Sequence, residues 1–292
     1  MRIIVTGTNG QLGTDLCKVL APFELVPLTH KDVEITDMGS VKRAFGGHKP
    51  DVVVNTAAFV LVDDCETEPD KAFLVNALGA RNVAVASREL GAKLVHISTD
   101  YVFGGETGSR TVPYTEFDTP VPLNVYGKSK LAGEDFVRHL CRSYFIIRVS
   151  GLFGTAGASG KGGNFVETML KLAGERDELR VVNDQVFSPT YTGDLARKIA
   201  GLIETEYYGI FHVANKGSCS WYEFTKEILR QAGLNTPVVP ISSDEYPQKA
   251  RRPRFSALDN YQLRLLGMDD MQPWEQALGD YLKEKGPRSD AL

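Results

Sequence analysis

A chain of 292 residues, 42% hydrophobic and 24% charged, is long enough to bury one large core or two modest ones. Its formal net charge of −4, with no basic run or arm, speaks against a nucleic-acid partner or an anionic membrane surface. No apolar run reaches the roughly 18 residues of a membrane span, and the start MRIIVTG lacks a leader pattern, so a cytoplasmic location is expected. Cys17, Cys65, Cys141 and Cys219 stand far apart with no C-x-x-C and read as free thiols.

RIIVT (2–6) is the first predicted strand. It runs into Gly7, Gly10 and Gly13, spaced G-x-x-G-x-x-G, and a helix over 11–21. Glycines there permit a tight turn and let backbone approach a pyrophosphate at the helix N-terminus, while Gly13 allows close packing of helix on strand. ELVPL (24–28) is the second strand, and the cofactor's ribose is expected just beyond it. Thr29, His30 and Lys31 stand there; Lys31 with His30 would neutralise a 2′-phosphate and points to NADPH, whereas a register bringing Asp32 or Glu34 to the ribose would suit NADH.

A helix over 39–46 and strand 51–55 follow, ending in Asn55-Thr56-Ala57-Ala58, then a helix over 69–90. Strand 93–97 ends in Ser98-Thr99-Asp100-Tyr101, and a helix over 124–140 carries Tyr126 and Lys130 in its first turns. Strand 144–149, a Gly-rich loop (154–164), a helix over 164–174 capped by Asn164, and strand 179–183 come next. Helices are predicted at 220–233, with the capping box Ser220–Glu223, and at 273–286. Strands of continuous apolarity alternating with helices predict a Rossmann-type α/β fold, a doubly wound parallel sheet with a smaller C-terminal α/β lobe. The sheet domain is expected over 1–150, taking in 179–206, and the substrate-binding lobe over 151–178 and 207–292.

Tyr-x-x-x-Lys alone only says that two residues share a helix face. In a dinucleotide-binding chain, after a hydroxyl at a strand end, the pair resembles the short-chain dehydrogenase/reductase superfamily. Its extended branch is the closer likeness, through G-x-x-G-x-x-G, N-x-A-A and VNA (75–77). The chemistry asks for these residue types. A free tyrosine has a pKa near 10 and gives up its proton reluctantly; an ammonium one turn away favours the phenolate.

The segments VDDCETEPDKAFLVNA (62–77), HISTDYVFGG (96–105), TEFDTPVPLNVYGKSKLAGE (115–134), GGNFVETML (162–170), VVNDQVFSPTYTGDLA (181–196) and RPRFSALDN (252–260) resemble the dTDP-4-dehydrorhamnose reductase family. That resemblance implies a cytoplasmic reductase converting dTDP-4-dehydro-L-rhamnose to dTDP-L-rhamnose. It implies Thr99, Tyr126 and Lys130 as catalytic residues and Asp100 beside the substrate. It also implies a cofactor, NADPH or NADH, lined by Gly10, Gln11, Leu12, Ala57, Ala58 and Phe59, with Tyr126 and Lys130 at its nicotinamide end and Lys130 also holding the nicotinamide ribose. Dehydratases of the branch carry a second acid after the Asp; here Tyr101 stands in its place, which argues against dehydration.

Two departures bear on the sugar. Gly151 stands where many of these reductases have a tryptophan, and Phe59 where a histidine is common. Loop 154–164 is a candidate lid, with Asn164 and Gly151 at the substrate. Arg252, with Arg251 and Arg254, either meets the diphosphate or lies in a solvated loop. Asp184, Gln185 and Ser188 to Thr190 either border the nucleotide or form a turn, and Trp221 and Tyr222 read as packing residues. The five histidines lack ligand spacing and predict no metal, although some family members hold magnesium at a subunit interface. A monomer and a homodimer both fit. Other readings are a reductase of another 4-keto nucleotide sugar, a sugar-nucleotide epimerase, or a non-catalytic NADP-binding regulatory subunit.

Overall fold

The structure, a computed structural model, describes residues 1–157 and 163–286. Its first half runs β1 (Arg2–Thr6), α1 (Gln11–Val19), β2 (Glu24–Leu28), α2 (Met38–His48), β3 (Val52–Asn55), α3 (Val62–Thr67), α4 (Pro69–Phe73), a π-helical turn (Leu74–Gly79), α5 (Ala80–Leu90) and β4 (Lys93–Thr99). A 3₁₀ turn (Asp100–Val102), α6 (Val125–Leu140), β5 (Tyr144–Val149), β6 (Leu152–Phe153), α7 (Phe165–Glu175), β7 (Leu179–Val182), β8 (Val186–Phe187) and β9 (Thr190–Tyr191) follow. The chain continues through α8 (Thr192–Ile203), β10 (Gly209–His212), β11 (Cys219–Ser220), α9 (Trp221–Gln231), β12 (Val238–Ile241), α10 (Tyr261–Leu265) and α11 (Trp274–Lys285).

The central sheet has strand order β10-β5-β4-β3-β1-β2, and every pairing in it is parallel. Alternation along β1 explains the layers. Ile3 and Val5 face Leu12 and Leu16 of α1 and Leu195 and Ile199 of α8. Ile4 faces the opposite way, with Val41 and Phe45 of α2, Val83 of α5 and Val137 of α6. The strand order reverses between β1 and β3, so a crevice opens at their C-terminal ends, where such folds bind nucleotides. A second core joins α7, α9 and α11 to β7 and β8 in the C-terminal lobe.

Two expectations about the lobes are corrected. Strand 179–182 leaves the central sheet and pairs with β12, because Leu179 and Val181 bury against Ile228 and Ala277 of the lobe; only α8 of the stretch 179–206 packs on α1. Residues 209–212, expected in the lobe, form the edge strand of the central sheet against β5. The expected helix 69–90 is interrupted by the π-helical turn, where Gly79 lies so close to Ile35 that a Cβ would stand 2.8 Å from its Cδ1. Among the described residues, no helix is long and apolar enough to cross a membrane.

Candidate active site

The glycine turn is built as the sequence requires. Gly7 has φ +71°, and a Cβ there would stand 2.7 Å from Thr56 Oγ1, so β1 and β3 pass closely at the crevice. A Cβ at Gly13 would lie 2.3 Å from the Gly7 carbonyl oxygen. Gly10 caps α1 with no side chain, leaving the positive end of the helix open to an anion. Gln11 Oε1 beside it is buried without a partner among the described residues, and Leu12 turns into the core.

Beyond β2, Asp32 is turned back on its own loop: its Oδ2 accepts from Thr29 N at 2.8 Å and Thr29 Oγ1 at 2.7 Å, bonds that hold the carboxyl below its usual range. His30 faces Glu34 at 3.5 Å, and Glu34 accepts from Thr36. Both acidic alternatives are thus engaged locally, and Lys31 remains exposed. Across the crevice Ala57, Ala58 and Phe59 follow β3. The Phe59 N–H donates to Asn76 Oδ1 at 2.8 Å, and Asn76 Nδ2 donates to Phe59 O and to Ser129 Oγ of α6, each at 3.0 Å.

Thr99 ends β4, buried, and its Oγ1 accepts from Tyr101 N at 3.2 Å. The first turn of α6 is pressed against this strand end. Asn124 caps it, accepting from Gly127 N at 2.8 Å, and a Cβ at Gly127 would lie 2.0 Å from Tyr101 O. Tyr126 is thereby brought to Thr99, which hydrogen-bonds its hydroxyl; burial raises the phenol above its ordinary range, and this bond opposes that only in part. One turn on, Lys130 is 2% exposed and donates to Ile97 O at 2.6 Å. Burial brings its pKa down to about 8, against the opposing charge of Glu134.

Asp100 is buried beside them. Its Oδ2 accepts from Ser256 Oγ at 2.6 Å and Ser150 Oγ at 2.9 Å, and its Oδ1 from Thr99 at 3.2 Å. Burial outweighs those three bonds and lifts its pKa to about 6.

Thr99, Asp100, Tyr126 and Gln11 line one cavity of about 750 Å³, with Gly151, Phe187, Trp221 and Arg252 along its walls. Gly151, at φ +53°, has no room for a side chain: a Cβ would stand 2.3 Å from Phe187 Cε2. Phe187 in turn stacks on Trp221, centroids 3.8 Å apart. Arg252 lines the cavity while bonded to Asp63 at 2.7 Å; Arg251 and Arg254 point to solvent outside it. Asn164 reaches the cavity wall, but its amide is spent on the capping box of α7 and on Gly154 O and Tyr281 Oη. Gln185 lines the cavity; Asp184 instead accepts from Ser243. Residues 158–162 of the expected lid lie outside the described residues.

The sequence reading missed Arg176 and Arg180 on the cavity wall, Asn76 behind Phe59, and the buried pair Glu134–Arg148 behind Lys130. Only Asn76 had a signal, as part of VNA. Among the described residues, no three His, Cys, Asp or Glu converge as a metal site.

Fold and site define an NAD(P)H-dependent oxidoreductase of the extended short-chain dehydrogenase/reductase class. Residues 1–286 match the family described as the RmlD substrate binding domain. The chain is 45% identical to the spore coat polysaccharide biosynthesis protein SpsK of Bacillus subtilis, over 99% of each chain. It is 38% identical to the dTDP-4-dehydrorhamnose reductase of Escherichia coli, over 89% of each. A crystal structure of dTDP-4-dehydrorhamnose reductase from Bacillus anthracis, in complex with NADP, superposes with a TM-score of 0.92 at 46% identity, covering 97% of this chain and 99% of that one. The chain belongs to the dTDP-4-dehydrorhamnose reductase family.

Proposed function

We propose that this protein uses NADPH to reduce the 4-keto group of dTDP-4-dehydro-L-rhamnose, giving dTDP-L-rhamnose in the cytoplasm for polysaccharide synthesis. The observation that carries the reading is the meeting of Thr99 and Tyr126 on the wall of one cavity, hydrogen-bonded to each other, with Lys130 buried one helical turn behind Tyr126.

The residues present fit a dinucleotide. The Gly7–Gly13 turn leaves no room for side chains, a Cβ at Gly7 meeting Thr56 and one at Gly13 the Gly7 carbonyl oxygen, so bare backbone faces the helix N-terminus. Among the described residues Gln11 Oε1 is a buried acceptor without a partner at its lip. Gly7, Gly10, Gln11 and Leu12 would hold the pyrophosphate. Ala57, Ala58 and Phe59 would line the far side, and Thr29, His30 and Lys31 would meet the adenosine ribose. The B. anthracis relative was solved with NADP, and the exposed Lys31, with Asp32 turned away, favours NADPH here over NADH. When bound, the coenzyme supplies hydride.

Thr99 and Tyr126 hold the ketone oxygen through their hydroxyls. Tyr126, kept protonated by burial, gives its proton to that oxygen as the carbon is reduced. The Lys130 ammonium stabilises the phenolate left behind. Asp100 positions Thr99 and borders the sugar, while Arg252 and the Phe187–Trp221 stack line the space for the rest of the nucleotide sugar.

The aromatic ring over Gly151 favours one second reading, reduction of a related 4-keto nucleotide sugar. The test is NADPH oxidation followed by absorbance with dTDP-4-dehydro-L-rhamnose made in situ. Rapid oxidation with dTDP-rhamnose as product is expected. Oxidation only with another 4-keto sugar would move the substrate, and coenzyme binding with no turnover on any sugar would favour a regulatory subunit.

A further inference from the structure

Glu134 stands on α6 one helical turn beyond Lys130 and is 1% exposed. Its Oε1 accepts from Ser98 Oγ at 2.5 Å and Arg148 Nε at 2.9 Å, and its Oε2 from Arg148 Nη2 at 2.7 Å. Ser98 directly precedes Thr99. Arg148, on β5, precedes by two residues the Ser150 that donates to Asp100. One carboxylate therefore ties the helix bearing Tyr126 and Lys130 to both strand ends that form the cavity floor.

A buried ion pair is a poor device for stability alone, since an apolar pair of the same shape is easier to bury. This pair is imperfect as well, because Arg148 Nη1 has no partner among the described residues. Its charges ask for a further reason, and Lys130 gives one. The lysine's hydrogen bond goes to a backbone carbonyl, and burial works against its charge. His96 on β4 is kept neutral by burial and by Lys130 itself, Tyr126 stands on the same helix, Asp100 follows the strand end that carries Thr99, and Arg148 of β5 lies behind the Glu134 carboxylate. Of these only Asp100 is an anion, and it is engaged by Ser150, Ser256 and Thr99; the carboxylate whose charge acts on Lys130 is Glu134.

We propose that Glu134 is a positioning residue of the reductase site, fixing the strand end that carries Thr99 and keeping the Lys130 ammonium charged from one turn away. The proposal rests on the catalytic reading of Thr99, Tyr126 and Lys130.

The test uses the full chain labelled with [ε-¹³C]lysine and titrated by NMR, the Lys130 signal assigned by its loss in Lys130→Arg. The wild-type midpoint is expected at about 8. In Glu134→Gln it falls by about one unit, a tenfold change, as removal of a nearby opposite charge requires. The alkaline limb of kcat/KM for NADPH oxidation moves down with it, and Glu134→Asp restores part of the shift. Because Glu134→Gln leaves Arg148 buried beside a neutral amide, Glu134→Gln/Arg148→Met serves as a second variant free of unpaired charge. An unchanged Lys130 midpoint in Glu134→Gln, with kcat lowered evenly at all pH values, would overturn the proposal and leave Glu134 a structural residue. In the double variant, loss of the Arg148 cation offsets part of the fall, so that variant reads the positioning of Thr99 through kcat. A shifted midpoint in a protein that turns over no keto sugar would sink the reductase reading and leave the electrostatic role of Glu134 standing.

Discussion

Thr99 Oγ1 lies 3.2 Å from Asp100 Oδ1 and also hydrogen-bonds the Tyr126 hydroxyl. Thr99 has one proton, and in this arrangement the buried carboxylate receives it, so Tyr126 is the donor to Thr99. A ketone oxygen entering the site would take over the Tyr126 donor. Tyr126→Phe is therefore expected to lower kcat by roughly 10²–10⁴, the usual worth of a positioned acid. NADPH binding, read by its fluorescence, should stay near wild type. Wild-type turnover in this variant would remove Tyr126 from the chemistry.

Asp100 also makes the stability of the fold depend on pH. Its pKa is raised by burial to about 6, above the value of an unfolded aspartate. The native state then holds this proton more tightly than the unfolded one. The resulting stability is fully present below about pH 4 and is lost as pH rises through about 6. Surface carboxyls with lowered pKa values, Asp63 and Glu227 among them, act in the opposite direction. The informative quantity is thus the difference in Tm between wild type and Asp100→Asn. Asn should gain on wild type between pH 4 and 7, and a difference independent of pH would contradict the assignment.

Lys31 tests the coenzyme. It is exposed, so its attraction for a 2′-phosphate is screened by salt. Lys31→Ala should reduce the NADPH-over-NADH ratio of kcat/KM by about tenfold, or about 1.4 kcal/mol, with a smaller effect at high salt. An unaltered ratio would assign the preference to other residues.

Gly151 and Phe187 test the sugar wall. Gly151→Ala meets both a left-handed backbone and the Phe187 ring, and should destabilise the fold by about 1–3 kcal/mol in urea unfolding. Phe187→Leu keeps most of the buried volume but loses the stack on Trp221. It is expected to raise KM for the nucleotide sugar several-fold and leave KM for NADPH unchanged. Equal effects on both would mean that Phe187 only supports the lobe.

What the sequence disclosed was local. The glycine turn, the hydroxyl at the end of β4 and the pair Tyr126–Lys130 each lie within one strand–loop–helix segment, where spacing fixes geometry. Partners remote in sequence were not legible. Nothing in LRVV (179–182) says that it pairs with 238–241 rather than with the central sheet, because apolar alternation specifies a strand and not its neighbour. Glu134 and Arg148 read as ordinary charges until α6 and β5 bring them together in the dark side of the sheet. The absence of a side chain at Gly151 was visible, while the ring that fills its place comes from 36 residues further along the chain.

The π-helical turn at Leu74–Gly79 carries a consequence for insertions and deletions in this chain. Such a turn is an α-helix lengthened by one residue. The bulge absorbs that residue, so α4, whose Lys71 lies over the Phe59 ring, and α5, which packs on the sheet, keep the phase of one continuous helix. Asn76, which bridges Phe59 to Ser129, stands inside this turn, where the chain can lose one residue without turning the helices on either side. A single-codon deletion of Asn76 should therefore untether the loop bordering the crevice from the helix that bears Tyr126, and unseat the coenzyme, while the sheet itself still folds.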